Sequence, residues 1–242
     1  MLTASLRMLK VLAIIPARGG SKGIPRKNLV AYRGEPLIVH SIKHALAASS
    51  ITRTIVSTDD AEIADVARRA GAEVPFMRPQ ELAEDHVLDL PVFAHVLDEL
   101  QARENYLPDL VVHLRPTTPH RLSHWIDDAV AALSAEPRAD SLRSVSLVDQ
   151  HPYRMFTIGE DGMLAPIMAH VHPMPYLLRR QELPPVYYYN CVLDVTRPRT
   201  IREQQSMTGQ RILPFQLPAE EVIDIDRPID LRLAEFLFGD RG

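Results

Sequence analysis

Residues 14–28, IIPARGGSKGIPRKN, place three glycines and four cations directly after an apolar run. Glycines let backbone N–H groups approach an anion closely. Arg18, Lys22 and Lys27 supply the positive charge that a polyphosphate requires. The stretch has neither the Walker pattern G-x-x-x-x-G-K-[ST] nor the dinucleotide pattern G-x-G-x-x-G. A solvated basic turn is the alternative, but the position at the end of a buried strand favours a phosphate-binding loop.

A pair of carboxylates stands near the end of the sequence, in EVIDIDRP. On a strand, Asp224 and Asp226 share one face, while Ile223 and Ile225 take the other. Neighbouring carboxylates repel unless a cation or a proton lies between them, and Mg²⁺ takes one or two carboxylates plus phosphate oxygens. An exposed strand edge with a helix cap at Asp226 explains the pattern equally well on its own. With the phosphate loop, the pair predicts a magnesium site and phosphoryl-type transfer.

Strands and helices alternate up to about residue 135, which predicts an α/β, Rossmann-like, doubly wound and mostly parallel sheet. The predicted strands are 11–17, 54–60, 73–76 and 109–114, and the predicted helices are 35–49, 61–71, 91–103 and 122–135. Ligands bind outside the carboxyl ends of such strands. Three strands end in polar segments, ARGGSKGIPRKN, STDD and RPTTPHR, so we expect these segments to converge.

The pattern changes after residue 145, where proline and turn residues become frequent and helical periodicity disappears. Regular structure is predicted again as strands at 186–195, 211–217 and 221–226, a short helix near 200–206 and a closing helix. The predicted organisation is a nucleotide-binding core at 8–145, an inserted arm at 146–186 and a return to the core at 187–242.

The 242-residue chain carries a formal net charge of −4, which speaks against a general nucleic-acid or anionic-membrane surface. No apolar window reaches the length of a membrane span, and MLTASLRMLK lacks the features of a signal peptide. Cys191 is the single cysteine, so an internal disulfide is impossible. We therefore expect a soluble protein in a reducing, cytoplasmic setting.

Six motifs in order resemble the CMP-sialic acid synthetase family, the acylneuraminate cytidylyltransferases. They are IIPARGGSKGIPRKN, IVSTDD, RPQELAED, LRPTTPHR, YYYNCVLDV and IDIDRPIDLRLAE, spanning about residues 10 to 238. The resemblance implies an enzyme that uses CTP, Mg²⁺ and a nine-carbon 2-keto sugar acid. The sugar's 2-hydroxyl attacks the α-phosphorus in line, and pyrophosphate leaves. The resemblance also implies a homodimer whose inserted dimerisation arm contributes to the partner's site.

The resemblance further implies three groups of site residues. Those expected around the nucleotide and its phosphates are Arg18, Ser21, Lys22, Lys27, Asn28, Arg78 and Asp89. Those expected around the sugar acid are Arg115, Thr117, Arg180, Tyr187 and Asn190. Mg²⁺ is expected on Asp224 and Asp226, and catalysis on this pair with Arg18, Lys22 and Lys27. No side chain is an obvious general base; a nearby carboxylate or a metal-bound hydroxide could take the proton.

Three positions depart from the family pattern. Arg115 replaces the usual glutamine, and an extra fixed cation favours a more acidic or differently substituted acceptor than N-acetylneuraminate. Cys191 replaces the usual glycine, which crowds the sugar pocket. Asp89 stands near the base, where a small hydroxyl residue is common. Kdo or another acidic acceptor such as a phosphonate, a non-catalytic nucleotide-binding protein and a CMP-sugar hydrolase remain alternatives.

Overall fold

The computed structural model describes residues 9–239. Outside this range lie residue 8 and residues 240–242 of the predicted domains. Residues 1–8 of the N-terminal segment that was assessed as a signal peptide lie outside it as well. The strands are β1 (Val11–Pro16), β2 (Ala31–Tyr32), β3 (Glu35–Pro36), β4 (Arg53–Ser57), β5 (Leu110–His113), β6 (Ser141–Leu147), β7 (Phe156–Ile158), β8 (Leu164–Pro166), β9 (Tyr187–Thr196) and β10 (Ile212–Gln216). The α-helices are α1 (Leu37–Ala47), α2 (Ala61–Arg69), α3 (Asp89–Glu104), α4 (Ser123–Ala135), α5 (Pro198–Arg202) and α6 (Pro228–Phe238).

The main sheet has six strands in the order β10-β6-β9-β5-β1-β4. Strands β4, β1 and β5 are mutually parallel, β10 is parallel to β6, and β9 runs antiparallel to both β5 and β6. The central strand β1 is buried on both faces, as its continuous apolar run predicts. The prediction of an α/β, doubly wound, mostly parallel sheet is confirmed.

Helices cover both faces of this sheet. One face of β1, with Ala13 and Ile15, packs with α1, α2 and α4, while Leu12 and Ile14 on the other face pack with α3 and α5. A third apolar cluster lies outside the sheet, where Ile24, Tyr32, Leu37, Ile223 and Ile225 pack with the apolar side of α6. This third cluster joins the segment after β1 to the last part of the chain.

Two predicted strands are wrong. The segment at 73–76 makes one isolated bridge, Ile55 to Glu73, because Pro75 has no N–H with which to extend the ladder. The segment at 221–226 is not paired into a sheet: Ile225 N–H donates to the carbonyl of Thr117 at 2.7 Å, within a loop. The alternation at 223–226 still holds, because both isoleucines are buried in the third cluster.

Residues 148–186 stand apart from the described apolar clusters, and none of them is a member. They form the hairpin β7–β8 and three short 3-10 helices, at Pro152–Arg154, Pro175–Leu177 and Arg180–Glu182. The hairpin is apolar and exposed: Ile158 is 75% exposed and its cross-strand partner Leu164 is 65% exposed. No helix in residues 9–239 has the length and apolar character needed to span a bilayer.

Candidate active site

A cavity of about 280 Å³ lies at the carboxyl ends of β1 and β5. Pro16 and His113, the last residues of these strands, are part of its wall. Eight of the predicted site residues line it: Arg18, Ser21, Lys27, Asn28, Arg78, Asp89, Arg115 and Thr117. The loops after β1 and β5 therefore converge as expected, because the two strands are neighbouring and parallel.

The loop after β1 is clamped onto the segment after β4. Gly19 N–H donates to Asp59 Oδ1 at 3.0 Å, and Arg26 pairs with Asp60, the residue that also caps α2. A Cβ on Gly19 would lie 2.8 Å from Asp60 Oδ2, so this position accepts only glycine without a shift. Inside the loop, Asn28 Nδ2 donates to the Arg18 carbonyl at 2.9 Å. The acidic segment after β4, Asp59 and Asp60, thus holds the loop after β1 in place.

Each of the three predicted phosphate-binding cations has a carboxylate partner. Arg18 Nη1 lies 2.7 Å from Asp85 Oδ1, and Lys22 Nζ contacts the other oxygen of Asp85. Lys27 Nζ donates to Asp226 Oδ1 at 2.8 Å. Lys22 does not line the cavity and is 81% exposed, in contrast to Lys27, which is 15% exposed. The positive charge is therefore held in place before any ligand enters.

The aspartate pair adjoins this loop. A Cβ on Gly23 would lie 2.5 Å from the Asp226 carbonyl oxygen, so the two backbones touch at a point that only glycine allows. Asp226 is 69% exposed, whereas the Oδ1 atom of Asp224 is buried and has no hydrogen-bond partner among residues 9–239. Burial chiefly, and the charge of Asp226, raise the pKa of Asp224. A cation beside this carboxylate would therefore stabilise its charged form.

Arg78 is a buried cation in the cavity wall. Its Nε and Nη2 atoms donate to the hydroxyl and the carbonyl of Ser57 at 3.1 and 2.5 Å, and it forms no ion pair within residues 9–239. Burial lowers the pKa of Arg78 to about 10, which still leaves it charged at neutral pH. A buried guanidinium without a carboxylate partner suits an acceptor group on a ligand.

Arg115, another residue of the cavity wall, lies at the centre of a charged network. It donates to Asp89 Oδ2 at 2.8 Å and to Asp194 Oδ2 at 3.3 Å, and it also contacts the hydroxyl of Tyr189. Tyr189 in turn donates to Asp194 Oδ2 at 2.6 Å, and Arg143 Nε donates to Asp194 Oδ1 at 2.9 Å. Two carboxylates therefore offset the charge of Arg115. Arg115 was expected to attract a more acidic acceptor, but its charge is already neutralised by carboxylates of the protein.

His113 lies beneath this network. Its Nδ1 is 3.9 Å from both Asp89 Oδ2 and Asp194 Oδ2, and the ring lies against Phe93 at 4.6 Å between centroids. Burial first, and then the charge of Arg115, lower the pKa of His113 well below its usual range. The imidazole is therefore neutral at physiological pH, and it adds no charge to the wall.

Residues 12–152, more than half of the chain, match the family model described as cytidylyltransferase. The chain belongs to the cytidylyltransferase family.

Relatives with cytidylyltransferase or CMP-sugar synthase names match this chain over nearly its whole length. CMP-N,N'-diacetyllegionaminic acid synthase of Legionella pneumophila is 34% identical over 234 residues, which cover 95% of this chain and 96% of the relative. Pseudaminic acid cytidylyltransferase of Campylobacter jejuni is 30% identical over 230 residues, covering 95% and 97%. The resemblance read from the six motifs is confirmed.

A solved structure shares the fold of this cytidylyltransferase. It is CMP:2-keto-3-deoxy-manno-octonic acid synthetase complexed with CTP, with a TM-score of 0.72 and 16% sequence identity, covering 96% of this chain and 100% of that one. At this identity, the similarity establishes the shared architecture.

Three of the predicted sugar-acid residues of the cytidylyltransferase lie away from the cavity. Tyr187 is 42% exposed at the start of β9. Asn190 is buried, and its amide is bonded to Ser144 and Ser146, which gives it a structural position within the sheet. Arg180 lies on the arm, at a separate cavity of about 380 Å³. The structure therefore does not place these three side chains in contact with a ligand bound in this cavity.

Four side chains of this site were not among the residues predicted from the sequence: Asp85, His113, Arg143 and Asp194. Tyr189 was also given no site role. A signal for Asp85 was present, since it ends the quoted motif RPQELAED. No spacing rule connects Arg115 with Asp194, because 79 residues separate them.

The aspartate pair of the cytidylyltransferase fits Mg²⁺. The buried Oδ1 of Asp224 has no hydrogen-bond partner within residues 9–239, so this carboxylate oxygen is available to a cation. Residues 9–239 hold no cluster of three or more His, Cys, Asp or Glu side chains suited to a metal. A pair is nevertheless enough for Mg²⁺, which keeps waters and substrate phosphate oxygens as its other ligands.

Cys191 adopts a left-handed conformation, with φ of 62°. Its thiol contacts Asp224 and does not line the cavity. The side chain therefore does not crowd the sugar pocket in the way that was expected from the sequence. Burial chiefly raises the pKa of the thiol to about 11. Glycine at this position in the family is explained by the backbone, since only glycine adopts positive φ without a steric penalty.

We expect Cys191→Gly to be more stable than Cys191→Ala by about 1 kcal/mol, because both variants lose the thiol and only alanine keeps a Cβ at positive φ. Urea unfolding followed by circular dichroism measures the difference. At an ordinary strand position the order is reversed. An alanine variant as stable as the glycine variant would show that the backbone carries no strain here.

Proposed function

We propose that the protein transfers CMP from CTP to the 2-hydroxyl of a nonulosonic acid and releases pyrophosphate. The observation that carries the proposal is the single cavity that joins the glycine-rich cationic loop to the buried Arg78 and to the wall of Arg115 and Asp89. The printed names of the relatives support the acceptor class, since they include diacetyllegionaminic and pseudaminic acid enzymes.

In this proposal the acceptor hydroxyl attacks the α-phosphorus and forms the new P–O bond. The bond to the oxygen that bridges to the β-phosphate breaks, its electron pair leaves with pyrophosphate, and the hydroxyl proton passes to a nearby carboxylate or to solvent. Arg18, Lys22 and Lys27 stabilise the charge on the α-phosphate and on the departing pyrophosphate. Gly20 and Ser21 line the cavity together with Arg18 and Lys27. Catalysis is therefore mainly positioning and neutralisation of charge, and no side chain forms a covalent bond.

Asp224 and Asp226 would hold Mg²⁺ in this proposal. When bound, the ion neutralises phosphate charge and polarises phosphate oxygens. Asp224 and Asp226 lie outside the cavity lining, but Lys27, which is part of that lining, contacts Asp226 at 2.8 Å and connects the pair to the phosphate loop.

The neutralised Arg115 bears on the choice of acceptor. Because Asp89 and Asp194 offset its charge, this wall presents a carboxylate edge as well as a guanidinium. We infer that the wall accepts hydrogen bonds from hydroxyl or amide groups instead of attracting a second anionic substituent. Acylamino-substituted nonulosonic acids provide such donors.

The arm is proposed to form a homodimer and to carry Arg180 to the partner's site. Its exposed apolar hairpin supports this, because a patch of this kind favours burial against another surface. A second copy is the proposed occupant, since Arg180 lies away from the cavity of its own subunit.

We expect the protein to elute as a dimer in gel filtration with light scattering, and the double variant Ile158→Glu, Leu164→Glu to elute as a monomer. The matched control is Phe236→Glu, an apolar residue on α6 that is 85% exposed and outside the arm. A monomeric wild type, or a dimeric double variant, would remove the arm from the assembly.

Pyrophosphate release tests the proposed function. The protein is mixed with Mg²⁺, each of the four ribonucleoside triphosphates in turn, and a panel of legionaminic, pseudaminic and neuraminic acids, Kdo and a phosphonate. We expect release only with CTP together with a nonulosonic acid. If CTP gave pyrophosphate with Kdo or with the phosphonate but with none of the nonulosonic acids, the acceptor would belong to that other class.

Two further outcomes contradict the proposal. Binding of CTP without turnover with any acceptor would make the protein a nucleotide-binding protein without transfer activity. Release of CMP from a CMP-sugar, with no pyrophosphate formed from CTP and any acceptor, would make it a hydrolase.

A further inference from the structure

Asp85 is the shared partner of two cations in the phosphate loop. One carboxylate oxygen lies 2.7 Å from Arg18 Nη1, and the other contacts Lys22 Nζ. Asp85 makes no other ion pair or side-chain hydrogen bond within residues 9–239. By contrast, Asp60, which pairs with Arg26, also caps α2 and therefore has a structural duty. Within residues 9–239, the ion-pair partners of the Asp85 side chain are therefore just the two cations expected to bind phosphate.

The position of Asp85 places an anion at the phosphate end of the cavity. It lies in the turn between the 3-10 helix Gln80–Leu82 and α3, and it lines the cavity together with Arg18 and Ser21. Its side chain is 43% exposed, so it can swing towards solvent without uncovering the core. Hydrogen bonding from Lys22 chiefly, and the charge of Arg18, lower the pKa of Asp85, so it is ionised at neutral pH.

A polyphosphate that uses Arg18 and Lys22 must compete with this carboxylate. Both oxygens of Asp85 are engaged, one by each cation, as two phosphate oxygens would be. A pyrophosphate or triphosphate carries several negative charges against one, so it displaces a partly exposed carboxylate whose ion pairs are individually weak. The exchange leaves both cations close to the orientation that they already have.

We infer that Asp85 is a displaceable internal counter-ion, a positioning residue that holds the side chains of Arg18 and Lys22 together in the phosphate loop until a polyphosphate replaces it. The inference rests on the proposed function, because it requires a polyphosphate at this loop. After transfer, Asp85 competes with pyrophosphate for the same two cations and so promotes release of the product. No bond is made or broken in this step apart from the ion pairs exchanged.

The test is titration calorimetry of inorganic pyrophosphate, at fixed low ionic strength and with Mg²⁺ present, on the full chain and three variants. We expect Asp85→Asn to bind pyrophosphate about tenfold more tightly than wild type, since the competing charge is gone. Asp85→Glu keeps the charge and should bind like wild type. The matched control is Glu84→Gln, which removes a neighbouring cavity-lining carboxylate that pairs with His86 rather than with the loop.

Unchanged or weaker binding of pyrophosphate by Asp85→Asn would overturn the exchange. An equal gain in affinity in Glu84→Gln would overturn it too, because the gain would then follow from removing any negative charge near the cavity. The gain of the asparagine variant should shrink at high salt, where such pairs are screened; a gain that is independent of salt would also count against it. Failure of wild type to bind either pyrophosphate or CTP would overturn the proposed function and the exchange with it.

Discussion

Replacing Asp224 with asparagine should lower the rate of CMP transfer by about a thousandfold. The buried Oδ1 of Asp224 has no partner within residues 9–239, and the carboxylate lies two residues from Asp226, which pairs with Lys27. A bound divalent cation contributes several kcal/mol to the stabilisation of charge at a reacting phosphate, and about 1.4 kcal/mol corresponds to a factor of ten. Pyrophosphate release at saturating CTP and acceptor measures the loss.

The control for this prediction is Glu220→Gln, an exposed carboxylate in the same segment but outside the site. It should keep the wild-type rate. Circular dichroism of Asp224→Asn should match wild type, because burial raises the pKa of Asp224 and so disfavours its charge, and asparagine is a neutral amide of the same shape. Ordinary turnover in the asparagine variant would remove the metal assignment from this pair.

The second large effect is on stability. Asp194→Asn should lower the free energy of unfolding by about 3 kcal/mol, because Asp194 is 3% exposed and is the shared counter-ion of Arg115 and Arg143. Without it, two largely buried guanidinium groups lie close together on the same face of the sheet. Urea unfolding, with the midpoint and slope measured for both proteins, gives the difference.

Asp89→Asn is the matched comparison for this second prediction. Asp89 also binds Arg115, but its side chain is 41% exposed, so solvent screens the charge that is lost. We expect a loss below about 1 kcal/mol, typical of a partly exposed pair. Equal losses in the two variants would show that burial does not decide the strength of these ion pairs.

The sequence predicted that the cationic loop and the carboxylates near residue 225 belong to one site. The particular contacts between them could be known only from the structure. The convergence of the loops after strands β1 and β5 was also predictable. Neighbouring parallel strands bring their carboxyl ends to one edge, so the loops after β1 and β5 had to lie together. The alternation of Ile223 and Ile225 correctly predicted which side chains are buried. It did not predict pairing, since apolar alternation reports two faces and not a neighbouring strand.

The charged network was beyond prediction because it depends on a local break in β9. Tyr189 and Asp194 are five residues apart, so an unbroken strand would place them on opposite faces. The pairing of β6 with β9 shifts between Arg143 and Val145, and Cys191 has positive φ. This irregularity turns the Tyr189 hydroxyl to within 2.6 Å of Asp194. The cysteine itself gives no sign of such a conformation.

The contact between Gly23 and Asp226 also bears on the order in which the chain is synthesised. The phosphate loop leaves the ribosome about two hundred residues before its partner segment, and Ile24, Tyr32 and Leu37 stay uncovered until α6 docks on them. A nascent chain therefore holds the anion-binding half of the site without the aspartates that complete it. Under the proposed function, competence for catalysis therefore arises only after residues 221–239 have been translated.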